Sequence, residues 1–402
     1  MKILFINTLY SPHIGGGAEV TLQNLAESMK RQGHEVCILA TGPHRGLQEE
    51  EIRGIHVYRA GLRNIFFHHG APVLPPVWKR ALWHLIDIYN PFMKRYVREV
   101  LEREQPDVVS CHGLSGWSIA PWDVIYARGV PIVQVLHDYY LLSPKVTMSK
   151  KGQPNSKPCL LCSLMRMIHR QRSNRAVAVV GVSQFILNKF LAQGYFRKTP
   201  VKTFIHNTRN FNVPVDHDSS RGDKITFGFI GTLAAHKGIE LLLETFLKHG
   251  MANWRLKVAG QGKADYEAML KQRFHHPGIE FLSYVQPFEF FPNLDITVVP
   301  SLWEEPLGMV VAESLMYGVP VLGSNRGGIP EMLQDERLGR LFDPNDPSGL
   351  PKAMAAMADE CGRYRGLREE ICQCSIPFRD QDAWGKKWDA VYRQANEMAK
   401  KC

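Results

Sequence analysis

The chain has 402 residues, which exceeds what one ordinary hydrophobic core supports and predicts two domains. Hydrophobic residues make up 45% and charged residues 22%, near the values of globular proteins, so a disordered chain is excluded. Lys and Arg outnumber Asp and Glu by 49 to 39, and the resulting net charge of +10 indicates attraction to phosphates, anionic lipid or nucleic acid without choosing among them.

The longest apolar runs, such as residues 176–182, are shorter than the roughly 18–20 residues of a membrane span. The apolar start of the chain is too short for a secretory signal and is better interpreted as a buried strand. A cytoplasmic location is therefore the default expectation.

Short β-rich runs alternate with helical patterns through the first half of the chain. Residues 2–9 (KILFINTL) predict a strand, an amphipathic helix follows, and HEVCILA predicts a second strand, which together make a βαβ unit. The apolar face of that helix comprises Ala18, Leu22, Leu25, Ala26 and Met29. Further strands are predicted at residues 107–112, 130–137 and 176–183. This alternation predicts a parallel sheet covered on both faces, in a doubly wound domain over residues 1–207.

A polar stretch rich in Pro, Ser, Gly and Asp then interrupts the pattern, and residues 208–224 are predicted to form a linker. The alternation restarts at residue 225 with ITFGFIG, and a second α/β domain is predicted over residues 225–379. In the tail, residues 380–402, aromatic residues are spaced four apart on one face of a predicted helix. This face, Trp384, Trp388 and Tyr392, needs a surface to cover.

Two local features leave several interpretations open. The run at residues 166–175 (RMIHRQRSNR) is dense in cations but lacks the aromatic residues and motifs of nucleic-acid binding, so no nucleic-acid partner is expected. A solvated face, the rim of an acidic-ligand site and contact with membrane headgroups remain as alternatives. Cys159 and Cys162 form a CxxC pair with no second pair at zinc spacing. They are interpreted as unligated thiols, with a disulfide or a metal site completed by distant ligands as alternatives.

In doubly wound sheets, ligands bind beyond the carboxyl ends of the strands. After the first strand, three glycines at residues 15–17 precede a helix whose N-terminal amides can face an anion. A dinucleotide fingerprint is excluded because GxGxxG would need glycine at Val20, and a flexible turn is the alternative. His137 and Asp138 end a later strand, where an imidazole can contact a substrate hydroxyl or serve structurally. A structural or hydrogen-bonding role is expected for His112.

The second domain carries three charged residues of interest. Lys237 lies directly before a helix that starts near Gly238, so that an ammonium and free amides converge in an arrangement suited to a diphosphate. In EEPLGMVVAES, Glu305 lies in a loop after a strand, and Glu313 is placed about two turns inside the following helix. A carboxylate in so apolar a helix is costly to bury without partners, which ligand hydroxyls supply. A surface lysine and an exposed carboxylate are the alternatives.

Five motifs together resemble the retaining glycosyltransferases of the GT-B fold known as family 4. They are GGGAE, HDYY, GTLAAHKG, VVPSLWEEPLGMVVAESLMYGVPVLGS and GGIPE, and the resemblance covers most of the chain. The most specific part is the E-x7-E pattern formed by Glu305 and Glu313. The resemblance implies an α/β fold of two Rossmann-like doubly wound domains facing across a cleft, with a nucleotide-sugar donor bound mainly by the second domain. It also implies that the C-terminal helix packs back on the first domain.

The resemblance further implies a role for each matching residue. Glu313 is expected to bind the ribose, and Glu305 with the backbone amides of Leu307, Gly308 and Met309 to hold the donor sugar and phosphate. Lys237 is expected to neutralise the leaving diphosphate. His137 is expected to contact the transferred sugar, Gly16 and Gly17 to abut the donor phosphate, and backbone near Val285 to contact the base. No DxD triplet stands in a suitable loop, so neither a metal nor another cofactor is expected.

The chain departs from the family at Thr232, where many members carry an arginine; Arg326 is a candidate to restore that charge. The acceptor is expected to be a glycan or a lipid-linked saccharide. Aromatic residues near cations within residues 53–90 make an anionic membrane surface a further candidate partner. These are Phe66, Phe67, Trp78 and Trp83. A sugar-nucleotide epimerase and a catalytically idle sugar-nucleotide or glycan-binding subunit are the alternative functions.

Overall fold

The computed structural model describes residues 1–67, 75–144, 146–150, 153–155, 157–210 and 223–400. These residues divide into two compact units. The first unit comprises Met1–Met148, Ser156–Thr208 and Gln381–Cys402, and the second comprises Ser149–Asn155 and Arg209–Asp380. The division falls between Thr208 and Arg209, at the start of the segment predicted to be a linker, most of which lies outside the described residues.

Sixteen strands occur in the described part of the chain. They are β1 (Lys2–Ile6), β2 (Glu35–Gly42), β3 (Leu47–Ile52), β4 (Ile55–Gly61), β5 (Val108–Cys111), β6 (Ile132–Leu136), β7 (Ser149–Lys150), β8 (Gln153–Pro154), β9 (Ala178–Gly181), β10 (Val201–Phe204), β11 (Ile225–Ile230), β12 (Trp254–Ala259), β13 (Ile279–Leu282), β14 (Ile296–Val299), β15 (Val321–Ser324) and β16 (Gly339–Phe342).

The helices of the same residues are α1 (Gly17–Arg31), α2 (Val77–Ile86), α3 (Lys94–Glu104), α4 (Ala120–Ala127), α5 (Leu160–Met165), α6 (Met167–Arg172), α7 (Gln184–Ala192), α8 (Ile239–His249), α9 (Ala264–Arg273), α10 (Pro287–Phe290), α11 (Met309–Met316), α12 (Ile329–Met332), α13 (Gly349–Asp359), α14 (Cys361–Gly366), α15 (Arg368–Cys374) and α16 (Gln381–Lys400). None of the described helices is long and apolar enough to cross a membrane.

The sheet of the first unit has the strand order β10-β9-β6-β5-β1-β2-β4-β3. All neighbouring strands are parallel except β3 and β4, which form an antiparallel hairpin. Its turn residues Arg53 and Gly54 both have positive φ angles, 52° and 71°, as a two-residue hairpin turn requires. The chain runs outward from β1 in one direction and returns to β5 on its other side. The switch point of this sheet therefore lies between β1 and β5.

The second unit has a fully parallel sheet of order β13-β12-β11-β14-β15-β16. Numbered from its own first strand, this is the order 3-2-1-4-5-6 of dinucleotide-binding folds, with a switch point between β11 and β14. The central strands are rich in Val, Ile and Leu and buried on both faces. The predicted class, α/β with two Rossmann-like doubly wound domains, is confirmed.

The C-terminal helix α16 belongs to the first unit and packs on α1. Its aromatic face, Trp384, Trp388 and Tyr392, is buried, which gives the predicted stripe its covering surface. Gly385 allows the close approach, because a Cβ atom at this position would lie only 2.3 Å from the hydroxyl oxygen of Ser28. The helix thereby places the Tyr392 hydroxyl inside the first unit, beside β5.

Candidate functional site

The switch point of the second sheet brings together two charged residues that are far apart in the sequence. Lys237 follows β11 in a 3₁₀ turn, Ala235–Lys237, directly before α8. Glu305 follows β14, in the loop that leads to α11. Because β11 and β14 are neighbours in the sheet, the loops that follow them emerge side by side.

Lys237 and Glu305 form an ion pair that is largely shielded from solvent. The Lys237 ammonium donates to Oε1 of Glu305 at 2.7 Å, and the Ser301 hydroxyl donates to the same oxygen at 2.7 Å. Burial alone raises the pKa of the Glu305 carboxyl, but Lys237 and the hydrogen bonds outweigh burial and leave the pKa lowered. The Glu305 side chain is 8% exposed and that of Lys237 26%. The carboxylate is therefore ionised and fixed, while the ammonium keeps an open side for a second anion.

Trp303 forms an aromatic wall beside this pair. The Lys237 ammonium lies 5.1 Å from the centre of the indole ring, within range of a cation–π interaction. His236 packs edge-on against the same ring at 5.5 Å. Burial and the neighbouring Lys237 lower the pKa of His236, so this imidazole is neutral at pH 7. The aromatic residues orient Lys237 without neutralising it.

Backbone geometry aims the N-terminus of α11 at the same loop. Gly308 precedes the helix with a φ angle of 89°, and Met309 is the first helical residue. This left-handed conformation is available to glycine at no steric cost and turns the chain so that the first N–H groups of α11 point out of the helix. Leu307 is buried and anchors the loop. These amides and the helix dipole favour an anion at this end.

The loop after β15 closes against the backbone of Glu305. The N–H of Gly328 donates to the Glu305 carbonyl oxygen at 2.8 Å. Gly327 has a φ angle of 62°, and a Cβ atom there would lie 2.0 Å from that carbonyl oxygen, so only glycine fits. Arg326, on the same loop, has a buried Nε with no hydrogen-bond partner among the described residues. A buried guanidinium N–H without a partner gains a hydrogen bond when a ligand oxygen binds beside it.

Glu313 has a partner that the sequence analysis missed. The Nε of Arg209 donates to Oε1 of Glu313 at 3.0 Å, and the two side chains are only 9% and 15% exposed. Burial raises the pKa of Glu313, and the charge of Arg209 opposes that rise. Glu313 is the fifth residue of α11, one turn into the helix rather than about two, because the helix begins only at Met309. Arg209 was assigned to the linker, and no local signal in the sequence distinguishes it.

In the first unit, His137 is joined to a buried chain of hydrogen bonds. Its Nε2 lies 2.8 Å from Nδ1 of His112, whose Nε2 lies 3.0 Å from the Ser110 hydroxyl. The Ser110 hydroxyl lies 3.0 Å from the hydroxyl of Tyr392 on α16. Burial and the nearby His137 hold the pKa of His112 well below its usual value, so His112 is neutral. The hydrogen-bonding role expected for His112 is thus present, and it is directed at His137.

The glycine loop of the first unit lies against an acidic side chain. Gly16 is the residue before α1, and Gly17 is the first helical residue. A Cβ atom at Gly16 would lie 3.9 Å from Oε2 of Glu19. Burial raises the pKa of Glu19, and the nearby Asp138 raises it further, although backbone N–H groups including that of Gly16 oppose the rise. A phosphate expected at Gly16 and Gly17 would therefore meet a carboxyl group that is more readily neutralised than an exposed one.

The remaining predicted features lie elsewhere. Val285 is half-buried in the loop between β13 and α10, after an edge strand rather than at the switch point. Cys159 and Cys162 are free thiols with their sulfur atoms 2.9 Å apart, and the described residues contain no cluster of three or more side chains that could hold a metal ion. The basic run is not a uniformly solvated face. Its Arg166 is buried, and Arg172 and Arg175 both form ion pairs with Asp123.

Two Rossmann-like units, the second with a charged pair and a helix N-terminus at its switch point, are typical of proteins that bind anionic nucleotide-type ligands. Comparison with known families makes the class specific. Residues 16–206 match the model of the glycosyl transferase 4-like domain, and residues 224–360 match that of the glycosyl transferases group 1. The chain belongs to this glycosyltransferase family.

Relatives and solved structures agree with this assignment. An uncharacterized 42.6 kDa protein in the cps region of Klebsiella pneumoniae is 32% identical over 333 residues, covering 83% of this chain and 87% of that protein. The glycogen synthase of Mycobacterium tuberculosis is 22% identical over 92% of this chain and 90% of its own length. Sucrose-phosphate synthase from Thermosynechococcus elongatus superposes with a TM-score of 0.74 at 17% identity, covering 98% of both chains. Anabaena HepE, in complex with UDP and glucose, gives 0.70 at 18% identity, covering 97% and 99%. The fold is GT-B, and the protein is a glycosyltransferase.

Proposed function

We propose that this protein transfers a sugar from a nucleotide-diphosphate donor to a hydroxyl group of a glycan or lipid-linked saccharide, with retention of the anomeric configuration. The observation that carries this proposal is the fixed pair Lys237–Glu305 beside the N-terminus of α11 at the switch point of the second sheet. Such a site offers a cation and oriented amides to a diphosphate, and a buried carboxylate to sugar hydroxyls. That HepE is named as a complex with UDP and glucose supports a nucleotide sugar as the donor.

In this proposal, the bond between the anomeric carbon and the phosphate oxygen breaks, and its electron pair leaves with the nucleoside diphosphate. The acceptor oxygen forms the new bond on the same face, and its proton passes to the departing phosphate oxygen. Lys237 and the amides of Gly308 and Met309 hold the growing negative charge, so they stabilise the transition state more than the ground state. No metal ion is needed for this step. Glu313 binds the ribose hydroxyls. Its carboxylate then either accepts hydrogen bonds from Arg209 and the ribose together or releases Arg209 when the ribose binds.

Donor binding is tested by thermal shift with UDP-, GDP- and ADP-sugars, because a ligand that prefers the folded state raises the melting temperature. The nucleotide that binds should lose about tenfold or more in affinity in Glu313→Gln, as charge-assisted hydrogen bonds are worth about 1.5–3 kcal/mol. The matched control is Glu267→Gln, because Glu267 pairs with the exposed Lys271 on α9. Equal affinity in the two variants would exclude Glu313 from the donor site.

Product analysis separates the proposed transfer from its alternatives. With the binding donor and a mixture of saccharide acceptors, a transferase forms a new glycoside, whose anomeric proton coupling reports retention or inversion. An epimerase instead releases free nucleotide and an altered sugar without any acceptor, and an idle binding subunit forms no product. No observation on the molecule favours either alternative, whereas Glu305, Glu313 and Lys237 together suit transfer.

We also propose that the first unit associates with anionic membranes, where a lipid-linked acceptor is presented. Two short helical segments expose large apolar side chains, which we name the apolar patch: Val77, Trp78, Leu82 and Leu85 on α2, and Leu160, Leu161, Leu164 and Met167 on α5 and α6. A polar contact connects the two segments. Nε2 of His169, in α6, lies 2.8 Å from the carbonyl oxygen of Ile88, two residues after the end of α2. Lys79 lies over the Trp78 ring, which provides a cation for anionic headgroups.

This patch differs from the aromatic set predicted from the sequence. Trp83 is buried and donates its indole N–H to the carbonyl oxygen of Phe66, whose ring lies 6.2 Å away. Trp78 is the one strongly exposed residue of the four aromatic residues predicted from the sequence. Residues 68–74 lie outside the described part of the chain. Co-sedimentation with anionic vesicles at low salt should fall in Trp78→Ser/Leu82→Ser but not in Leu247→Ser, an exposed leucine of the second unit. Wild-type protein that stays in the supernatant would refute membrane association.

A further inference from the structure

We propose that Ser110, His112 and Tyr392 form a proton-fixing chain that holds His137 in one tautomer, with its proton on Nδ1. His137 is then a hydrogen-bond donor through Nδ1, and its Nε2 is an acceptor. The three residues are positioning residues, which act on a ligand only through His137. The chain spans the unit from α16 to the end of β6.

The geometry of the chain is a series of three short polar contacts in a buried setting. The heavy-atom distances are 3.0 Å from Tyr392 to Ser110, 3.0 Å from Ser110 to His112 and 2.8 Å from His112 to His137. Tyr392 and Ser110 are fully buried, and His112 is nearly so. The rings of His112 and His137 stack with centres 5.1 Å apart, and the His112 ring also lies against Trp388 at 6.5 Å. Packing therefore fixes both imidazole planes.

Counting hydrogens determines the direction of the chain. Three contacts need three hydrogens, and the Tyr392 hydroxyl, the Ser110 hydroxyl and the neutral His112 ring each supply one. If His112 carries its proton on Nδ1, Tyr392 donates to Ser110, Ser110 donates to Nε2 of His112, and His112 donates to Nε2 of His137. Every hydrogen in the chain then has an acceptor.

The opposite direction leaves one hydrogen without an acceptor. With the proton on Nε2 of His112, its N–H points at Ser110, and two hydroxyl hydrogens remain for the single contact between Ser110 and Tyr392. Neither hydroxyl has another acceptor among the described residues. A buried donor left unpaired is costly enough to favour the first direction by about tenfold or more. In that direction Nε2 of His137 accepts a hydrogen bond, so the neutral ring carries its proton on Nδ1.

The tautomer gives His137 a defined role, which rests on the proposed sugar transfer. A neutral Nδ1–H donates to a sugar hydroxyl without adding a positive charge beside the anomeric carbon, where positive charge develops in the reaction. Free histidine prefers the Nε2–H tautomer, so the proposed form is not the default.

The experiment is nitrogen NMR of the ligand-free 402-residue protein labelled with [15N]histidine. His137→Gln assigns the His137 ring signals among the 16 histidines. The test variant is Ser110→Ala/Tyr392→Phe, which removes both hydroxyls and keeps the shapes of the side chains. The matched control is Tyr195→Phe, which removes a buried hydroxyl that donates to the Leu141 carbonyl outside the chain.

In wild type and in Tyr195→Phe, Nδ1 of His137 is expected to carry the proton. In the double variant, we expect the ratio of the Nδ1–H to the Nε2–H tautomer of His137 to fall by about tenfold. A wild-type signal from the Nε2–H tautomer would overturn the inference even if the double variant did not fold. So would an unchanged ratio in a folded double variant. Because no ligand is present, an absence of glycosyl transfer would overturn the proposed function and leave this result standing.

Discussion

Removing the cation of the Lys237–Glu305 pair tests whether that pair is a fixed, buried element of the site. Lys237→Met leaves the Glu305 carboxylate, whose side chain is 8% exposed, with the hydrogen bond from Ser301 at 2.7 Å but without its cation. Breaking a buried ion pair costs about 3–5 kcal/mol, whereas exposed pairs contribute about 0–1 kcal/mol. Because the Lys237 side chain is 26% exposed, we expect a loss of about 2–3 kcal/mol at pH 7.5.

The pH dependence identifies the cause of that loss. In the wild type the pKa of Glu305 is lowered, so its pairing stabilises the fold above the unfolded pKa, and the contribution disappears as pH falls through the folded pKa. In Lys237→Met, burial dominates and raises the pKa, so that protonation at lower pH relieves the penalty. The deficit of the variant should therefore be complete at pH 7.5 and smaller at pH 5.

Thermal unfolding of the full chain measures the deficit. A loss of 1 kcal/mol lowers the melting temperature of a domain of this size by about 2–4 °C, so we expect about 4–12 °C at pH 7.5. Lys271→Met is the matched control, since Lys271 forms an i,i+4 pair with Glu267 on α9. Such helix pairs contribute about 0.3–0.5 kcal/mol, so this variant should shift the transition by about 2 °C at most. The reasoning is refuted if the two variants melt alike, or if the deficit of Lys237→Met is the same at both pH values.

Two further predictions concern the loop after β15. Arg326→Ala should raise the donor dissociation constant about tenfold, as the loss of a charge-assisted hydrogen bond to phosphate implies, and titration calorimetry measures it. Arg337→Ala, which removes an exposed arginine bound to Asp335, is the control, and an unchanged constant would remove Arg326 from the site. Gly327→Ala should cost about 2–4 kcal/mol, because its φ is 62° and the new Cβ meets the Glu305 carbonyl at 2.0 Å. Gly362→Ala, with open space around it, should be neutral or slightly stabilising, and equal denaturation midpoints for both glycine variants would contradict the close contact.

The sequence predicts those parts of the molecule whose signals are local. The alternation of apolar runs and amphipathic helices locates most strands, and E-x7-E places Glu305 and Glu313 around the start of one helix. The β3–β4 hairpin was missed because LQEEEI is an edge strand whose charged residues are exposed, a pattern that also suits a surface loop. Its Arg–Gly turn lacks the Asn–Gly signature of such hairpins.

Partners that are distant in the chain could not be predicted in the same way. Arg209 meets Glu313 across 104 positions, and Ser110 meets Tyr392 across 282. Each contact forms only through the tertiary packing of the folded chain. The identity of a single arginine or tyrosine in the sequence does not indicate which residue it will contact. The spacing of Trp384, Trp388 and Tyr392 predicted a buried face, but it did not show that a hydroxyl on that face would complete a polar chain.

The charges of the second unit explain why Arg326 matters in a chain that has Thr232 in place of the family arginine. Lys237 is paired with Glu305 and Arg209 with Glu313, so these four residues are neutral together. A multiply charged diphosphate therefore gains little net attraction from them. Arg326 differs, because its buried Nε has no partner among the described residues. A phosphate oxygen that accepts from this N–H relieves a cost already present in the ligand-free protein. Affinity should thus depend more on Arg326 than on Lys237, whose charge is divided between the ligand and Glu305.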